Sequence, residues 1–324
     1  EALFRPLSTE QRAAAGARYF AYLRGREGDL RLETRTLSRR EPFFDALALA
    51  PVRSTAPIDA ATFHRNHEAR VPEDGLSREM LWLLAVAKAN RTECYGMETH
   101  IVVNGILDGE RADVQAFIDM QEVYHTRILL DVLRCFDLDV EVGRPDLASR
   151  LAVQAMVRLP QRTAMPMILC AEFVATVVFR QLIDIGQELF ARQPALWERL
   201  STLLHQIMID EVGHVTWCRA RLGSLGLRIA RTLLPAVKAA LLTDQREFAL
   251  LVGRERFDQA FAEFAIEQIT QGCTDPAFWL TRDGANDSNN SNDGTEPHET
   301  PDSEVSALSA ATPANASSSP QPSA

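Results

Sequence analysis

Apolar residues recur every three or four positions from residue 77 onward, the spacing of helices with one buried face. Strand-like alternation is absent. The pattern predicts long helices over 77–104, 112–136, 146–158, 165–191, 194–222 and 228–242, and a last one over 243–271 interrupted near Gly253. Gly105 and Gly109 close the first, Arg144-Pro145-Asp146 opens the third, Pro194 opens the fifth, and Gly223 and Gly226 end it. Upstream, Ser8-Thr9-Glu10-Gln11 reads as a helix start followed by 12–24. Residues 25–75 are mixed, with prolines at 42, 51, 57 and 72 cutting them into short pieces such as 43–50.

These features predict an all-α fold in three parts. Residues 1–76 form a helical N-terminal extension, 77–275 a helical domain, and 276–324 an acidic Asn/Ser/Pro-rich tail. The tail has too little apolar surface to offset chain entropy and is expected to be disordered.

Composition narrows the function. Of 324 residues, 46% are hydrophobic, enough for a sizeable core. The net charge of -10 is uneven. Residues 283–324 hold seven acids and no Lys or Arg, which leaves 37 acids against 34 bases in the body. A basic footprint is absent, so nucleic acid is not expected as a partner. Cys94, Cys135, Cys170, Cys218 and Cys273 are odd in number, and each sits in an apolar helical context without a CxxC. They are expected to be buried free thiols in a reducing compartment. No signal-peptide pattern occurs in residues 1–10 and no uncharged apolar run reaches 18, so a cytoplasmic protein without a membrane span is expected.

The longest apolar run, 165–179, is broken by Glu172. A carboxylate in that setting is costly unless paired, protonated or bound to a cation. Two ExxH motifs supply companions: Glu122-Val123-Tyr124-His125 and Glu211-Val212-Gly213-His214. Positions i and i+3 share one side of a helix, so each motif projects a carboxylate and an imidazole together. Each motif also follows a helix bearing a lone acid: Glu172 before the second, Glu93 or Glu98 before the first. On a helical wheel Glu93 shares the face of Val86, Asn90, Met97 and Ile101, whereas Glu98 flanks Arg91; Glu93 is therefore the preferred choice. Glu, ExxH, Glu, ExxH on four helices matches the ligand arithmetic of a carboxylate-bridged di-iron or di-manganese bundle. Four carboxylates balance two divalent cations, and oxygen and imidazole donors suit iron or manganese. Asp210, just before Glu211, is placed to accept the remaining ring N–H of His125, and Gln121 to do the same for His214. Tyr95, Tyr124 and His100 could lie near the metals, but packing roles are the plainer expectation.

The set Glu93, Glu122, His125, Glu172, Glu211 and His214, with Asp210 behind it, resembles the ferritin-like di-iron carboxylate superfamily over roughly 77–220. In layout it most resembles the p-aminobenzoate N-oxygenase family. That resemblance implies a ferritin-like four-helix bundle carrying a di-metal site, with additional N- and C-terminal helices. It implies two Fe ions (or Mn, or a mixed Fe/Mn pair) that activate O2, an oxygenase or oxidase acting on a small-molecule substrate, a ferredoxin-type electron donor and a homodimer. The N-oxygenase family carries an extra metal-binding His one turn before the last Glu; here that position is Ile207, which leaves a plain two-His site. Gln121 likewise replaces an Asp of that family. Two other classes stay open at this point: a ferroxidase or other metal-handling protein using the same ligands, and a metal-free helical scaffold. A zinc hydrolase fits worse, because HExxH is absent.

Overall fold

The computed structural model describes residues 2–31, 34, 36–104 and 114–263. The described part of the 276–324 segment is nil, and the ends of the helices expected at 112 and 271 also lie outside the described residues. What is described is all-α apart from one hairpin of two-residue strands, β1 (Leu30–Arg31) and β2 (Thr36–Leu37), paired Leu30↔Leu37 and Arg31↔Thr36. Strands that short have no room for a period-two pattern. None of the described helices is long and apolar enough to cross a membrane.

The helices are α1 (Thr9–Glu27), α2 (Glu41–Leu49), α3 (Ala60–Glu68), α4 (Arg78–Asn104), α5 (Val114–Arg134), α6 (Leu147–Arg158), α7 (Gln161–Leu189), α8 (Pro194–Arg221), α9 (Ser224–Asp244), α10 (Arg246–Val252) and α11 (Arg254–Glu263). The proline-punctuated stretch holds one helix beyond expectation, α3, whose start Asp59 caps by accepting from Thr62 N at 3.1 Å. Its nine residues are too few to print a clear period. The expected capping box of α1 is present: Ser8 Oγ accepts from Gln11 N at 3.1 Å, and Gln11 Oε1 from Ser8 N at 2.8 Å. Between α9 and α10 the break falls at Gln245, with no glycine or proline to announce it.

Four long helices form a closed ring of pairwise contacts, α4 on α5, α5 on α8, α8 on α7 and α7 on α4. Contacts between them run in opposite chain directions, so each neighbour pair is antiparallel; α6 lies in the connection from α5 to α7 and packs on α4 and α7. One end of the ring is an aromatic plug. The Trp82 ring is fully buried, meets Phe190 edge-on at 5.1 Å, and donates from Nε1 to the Leu182 carbonyl at 2.8 Å. Phe136 joins at 5.3 Å from Phe190. Glu93 stands eleven residues along α4 from Trp82, roughly 16 Å at 1.5 Å per residue, which puts the acidic positions well inside the ring.

Outside the ring, α1 packs on α8 and α5, α9 on α7, and α10 on α4. The approach of α1 to α8 depends on Gly213. A Cβ there would sit 2.9 Å from carbons of the buried Tyr19 ring, closer than real side chains tolerate. Gly96, on α4, has nothing within 4 Å of the same position. Gly213→Ala is therefore expected to cost about 1–3 kcal/mol by overpacking. Gly96→Ala should be neutral or stabilising by up to about 1 kcal/mol. Urea unfolding of both variants checks the contrast.

Candidate metal centre

The ring interior gathers six side chains from its four helices. Glu93 comes from α4, Glu122 and His125 from α5, Glu172 from α7, and Glu211 and His214 from α8. They form two overlapping groups, Glu93/Glu122/His125/Glu211 and Glu122/Glu172/Glu211/His214, in each of which one donor atom per residue lies within 4.8 Å of the others. Glu122 and Glu211 belong to both. Every residue named from the motif arithmetic is thus brought to one place. Glu98 is not: it is exposed, near Cys94, and Arg91 instead bonds the His67 carbonyl.

The imidazoles are oriented from behind. His125 Nε2 lies 3.2 Å from Asp210 Oδ2, and His214 Nε2 lies 3.0 Å from Gln121 Oε1. With the Nε2 protons given to these acceptors, each Nδ1 faces inward, and a neutral imidazole there presents a lone pair. His125 Nδ1 is 3.4 Å from Glu122 and 3.5 Å from Glu211; His214 Nδ1 is 3.1 Å from Glu122 and 3.4 Å from Glu172. Neither Nδ1, nor Glu211 Oε2, has a hydrogen-bond partner among the described residues, although all three are buried. Buried polar atoms that face one another without partners are a condition that added protons or a cation relieves.

Behind the histidines lies a second layer. Arg40 grips Glu27 through Nε at 2.7 Å and Nη2 at 2.8 Å, and the same Nη2 reaches both Asp210 oxygens at 2.6 Å. Arg26 also bonds Asp210, and Gln121 Nε2 donates to Glu27 at 2.8 Å and Asp210 at 3.1 Å. Those two donations fix which way the Gln121 amide points, leaving its oxygen for His214. Two arginines offset two carboxylates, so this layer is neutral by itself. Sequence reasoning located Asp210 and Gln121 but missed Arg26, Glu27 and Arg40. Glu27 left one trace: it continues the buried stripe Ala15, Tyr19, Leu23 at four-residue steps. Arg40, in a turn before α2, left none.

Electrostatics follow from burial and crowding. Burial and then Glu122 push Glu93 up to about 8; burial and then Glu172 raise Glu211 well above the carboxylate range. Burial acts on Glu122 in the same direction, but His125 and His214 outweigh it and hold Glu122 well below its ordinary value. Burial alone lowers an imidazole, yet the surrounding carboxylates win: His125 is raised well above its usual value and His214 to about 9. Asp210, despite burial, is held low by Arg26 and Arg40. These shifts favour the protonated forms of Glu93, Glu211, His125 and His214.

Access is one-sided. Glu93, Glu122 and Glu172 keep 16, 17 and 18% side-chain exposure, while Glu211 and both histidines keep 1% or less. Tyr124 turns away from the cluster, stacked on Phe44 at 5.3 Å, its hydroxyl donating to Glu41 and accepting from Leu37 N at 3.1 Å. Tyr95 Oη accepts from Gln154 at 2.7 Å. His100 pairs with Asp119 at 3.4 Å. A cavity of about 550 Å³ lined by Lys88, Arg91, Arg144 and Leu151 among others has none of the six residues in its wall, so it is separate from the cluster.

Comparison with protein-family models, with curated proteins and with solved structures finds no match to this chain.

The second layer yields a test. Arg40→Met leaves Glu27 and Asp210 under-compensated and is expected to cost about 3–5 kcal/mol. Adding Glu27→Gln restores the charge balance, so the double variant should be more stable than additivity predicts. A double-mutant cycle by urea unfolding measures the difference.

Proposed function

We propose that this chain is a ferritin-like four-helix di-metal protein that uses O2 to oxidise a small organic molecule. The observation that carries this reading is the donor set. Four carboxylates and two imidazoles from four helices converge, with both Nδ1 atoms and Glu211 Oε2 lacking hydrogen-bond partners among the described residues and both Nε2 atoms engaged from behind. Donors of this kind, without thiolates, suit a pair of iron ions, and accept manganese or a mixed pair. His125 and Glu93 would serve one ion, His214 and Glu172 the other, with Glu122 and Glu211 shared between them. When bound, such ions supply the redox chemistry that activates O2. A metal-free scaffold offers no comparable account of six converging polar side chains in a closed core.

The chain's own residues do the rest. Asp210 and Gln121 hold the imidazoles in one tautomer and orientation. Because Asp210 is a carboxylate and Gln121 a neutral amide, His125 is made the stronger donor, and the two positions are inequivalent. The Trp82 plug and the packed histidine side exclude water from one end and one face. Substrate and O2 are then expected at the edge where Glu93, Glu122 and Glu172 remain accessible. A small-molecule substrate fits that narrow edge; an external electron donor of ferredoxin type belongs to the same reading.

Purified protein loaded anaerobically with Fe(II) should hold close to two ions per chain, lost in Glu172→Ala and His125→Ala, and should consume O2 when reduced. Absence of metal after loading would sink the reading; metal that oxidises and accumulates far beyond two per chain would redirect it to metal storage. Asp210→Asn should weaken one of the two ions by about 10–100-fold and leave the other closer to wild type.

Loading must also displace protons. Burial and crowding hold a proton on Glu93 up to about pH 8 and on His214 up to about 9, and favour the protonated forms of Glu211 and His125; each proton must leave for its atom to coordinate. Affinity should therefore rise as pH passes about 8, where Glu93 gives up its proton, and about 9, where His214 does, and loading should release protons. Calorimetric titration in buffers of different ionisation enthalpy counts them.

A further inference from the structure

The ring is bridged on three seams and parts on the fourth. α4 and α5 are tied together by Asn90 Nδ2 on the Thr126 carbonyl at 3.4 Å and by His100 with Asp119 at 3.4 Å. The layer behind the histidines ties α5 to α8. α7 and α8 make the most extensive contact in the ring. The α4–α7 seam is tight at the aromatic plug. There Trp82 bonds the Leu182 carbonyl, and a Cβ added at Gly186 would meet the Trp82 ring at 3.3 Å.

Farther along, at the level of the cluster, the same seam opens. Gly96 is 14 residues past Trp82 and three past Glu93. At ~100° per residue it points within ~40° of the Trp82 direction and ~60° of the Glu93 direction. α7 runs antiparallel from Leu182, so Ile168 is the residue opposite Gly96. In a closed seam the two would touch. Instead, the position of a Gly96 Cβ has nothing within 4 Å among the described residues, and Ile168 is only half-buried. α6 packs on both helices and holds α4 through Gln154 and the Tyr95 hydroxyl at 2.7 Å, yet it stays clear of that spot. The ligands carried by these two helices are accessible ones: Glu93 keeps 16% and Glu172 18% side-chain exposure, against 1% for Glu211. Protein interiors are close-packed, so a gap that reaches buried polar groups calls for an occupant or a passage.

We propose that the gap between Gly96 and Ile168 is the route by which metal ions and small molecules reach the cluster, and that the missing side chain of Gly96 sets its width. The proposal rests on reading the cluster as a metal centre, and it narrows the substrate class. A slot between two facing helices admits an unbranched chain or a single flat ring and turns away branched or globular molecules.

The test grades the side chain at position 96 in the full chain: Gly96→Ala, Gly96→Val and Gly96→Phe. Because the space is open, each variant should unfold in urea close to wild type and hold as much Co(II) at equilibrium. The rate of Co(II) uptake, followed by its visible absorption, should fall in the order Gly, Ala, Val, Phe. The Phe variant should be about tenfold slower, an added barrier of ~1.4 kcal/mol. Metal-free protein gives a second readout. A water-soluble carbodiimide with an amine labels accessible carboxyl groups, and peptide mass spectrometry locates the label. Labelling of Glu93 and Glu172 should fall in Gly96→Phe, while that of exposed Glu98 stays the same. A wild-type chain that takes up no Co(II) but shows this protection keeps the route and removes the metal reading. Labelling of Glu93 and Glu172 that is unchanged in Gly96→Phe overturns the route, as does Co(II) uptake at the wild-type rate.

Discussion

Four carboxylates cannot share a few ångströms of protein interior as anions. Glu93, Glu122, Glu172 and Glu211 do share it, and the rest of the molecule answers to that constraint. Their repulsion has to be cancelled by protons or by cations. Burial and crowding favour protons on Glu93, Glu211 and both histidines, which relieves part of that repulsion. The closed ring of antiparallel helices supplies the rigidity that keeps the six donors from drifting apart to relieve the crowding.

The second layer solves a different problem. An imidazole can present either nitrogen, and the choice decides whether a lone pair faces inward. Asp210 and Gln121 make that choice, and Arg40, Arg26 and Glu27 hold them in turn. The parts come from α1, the turn before α2, α5 and α8, so residues that look peripheral in the chain complete the centre.

Much of the inner site was legible from spacing. Residues three apart on a helix share a face regardless of what surrounds it, so Glu122 with His125 and Glu211 with His214 could be paired on paper. Glu172 stood out because an acid within an apolar run demands a partner, and Glu93 could be preferred over Glu98 because the wheel separates their faces. The helices of the ring were legible for the same reason. What was not legible was short or non-periodic: α3, with nine residues, and the two-residue strands carry too few positions to reveal a period.

The sequence by itself determined which side chains share a helix face, because that depends only on the 100° step of the local backbone. It therefore determined the all-α class and the content of each half of the cluster. Only the tertiary structure decided that the two halves meet, and that Glu122 and Glu211 stand between the histidines. It alone decided that Arg40 reaches Glu27 and Asp210 across 13 and 170 residues of chain. Those contacts arise from how helices stack and where turns deliver their ends, and long-range packing of that kind leaves no periodic mark in the residues that make it.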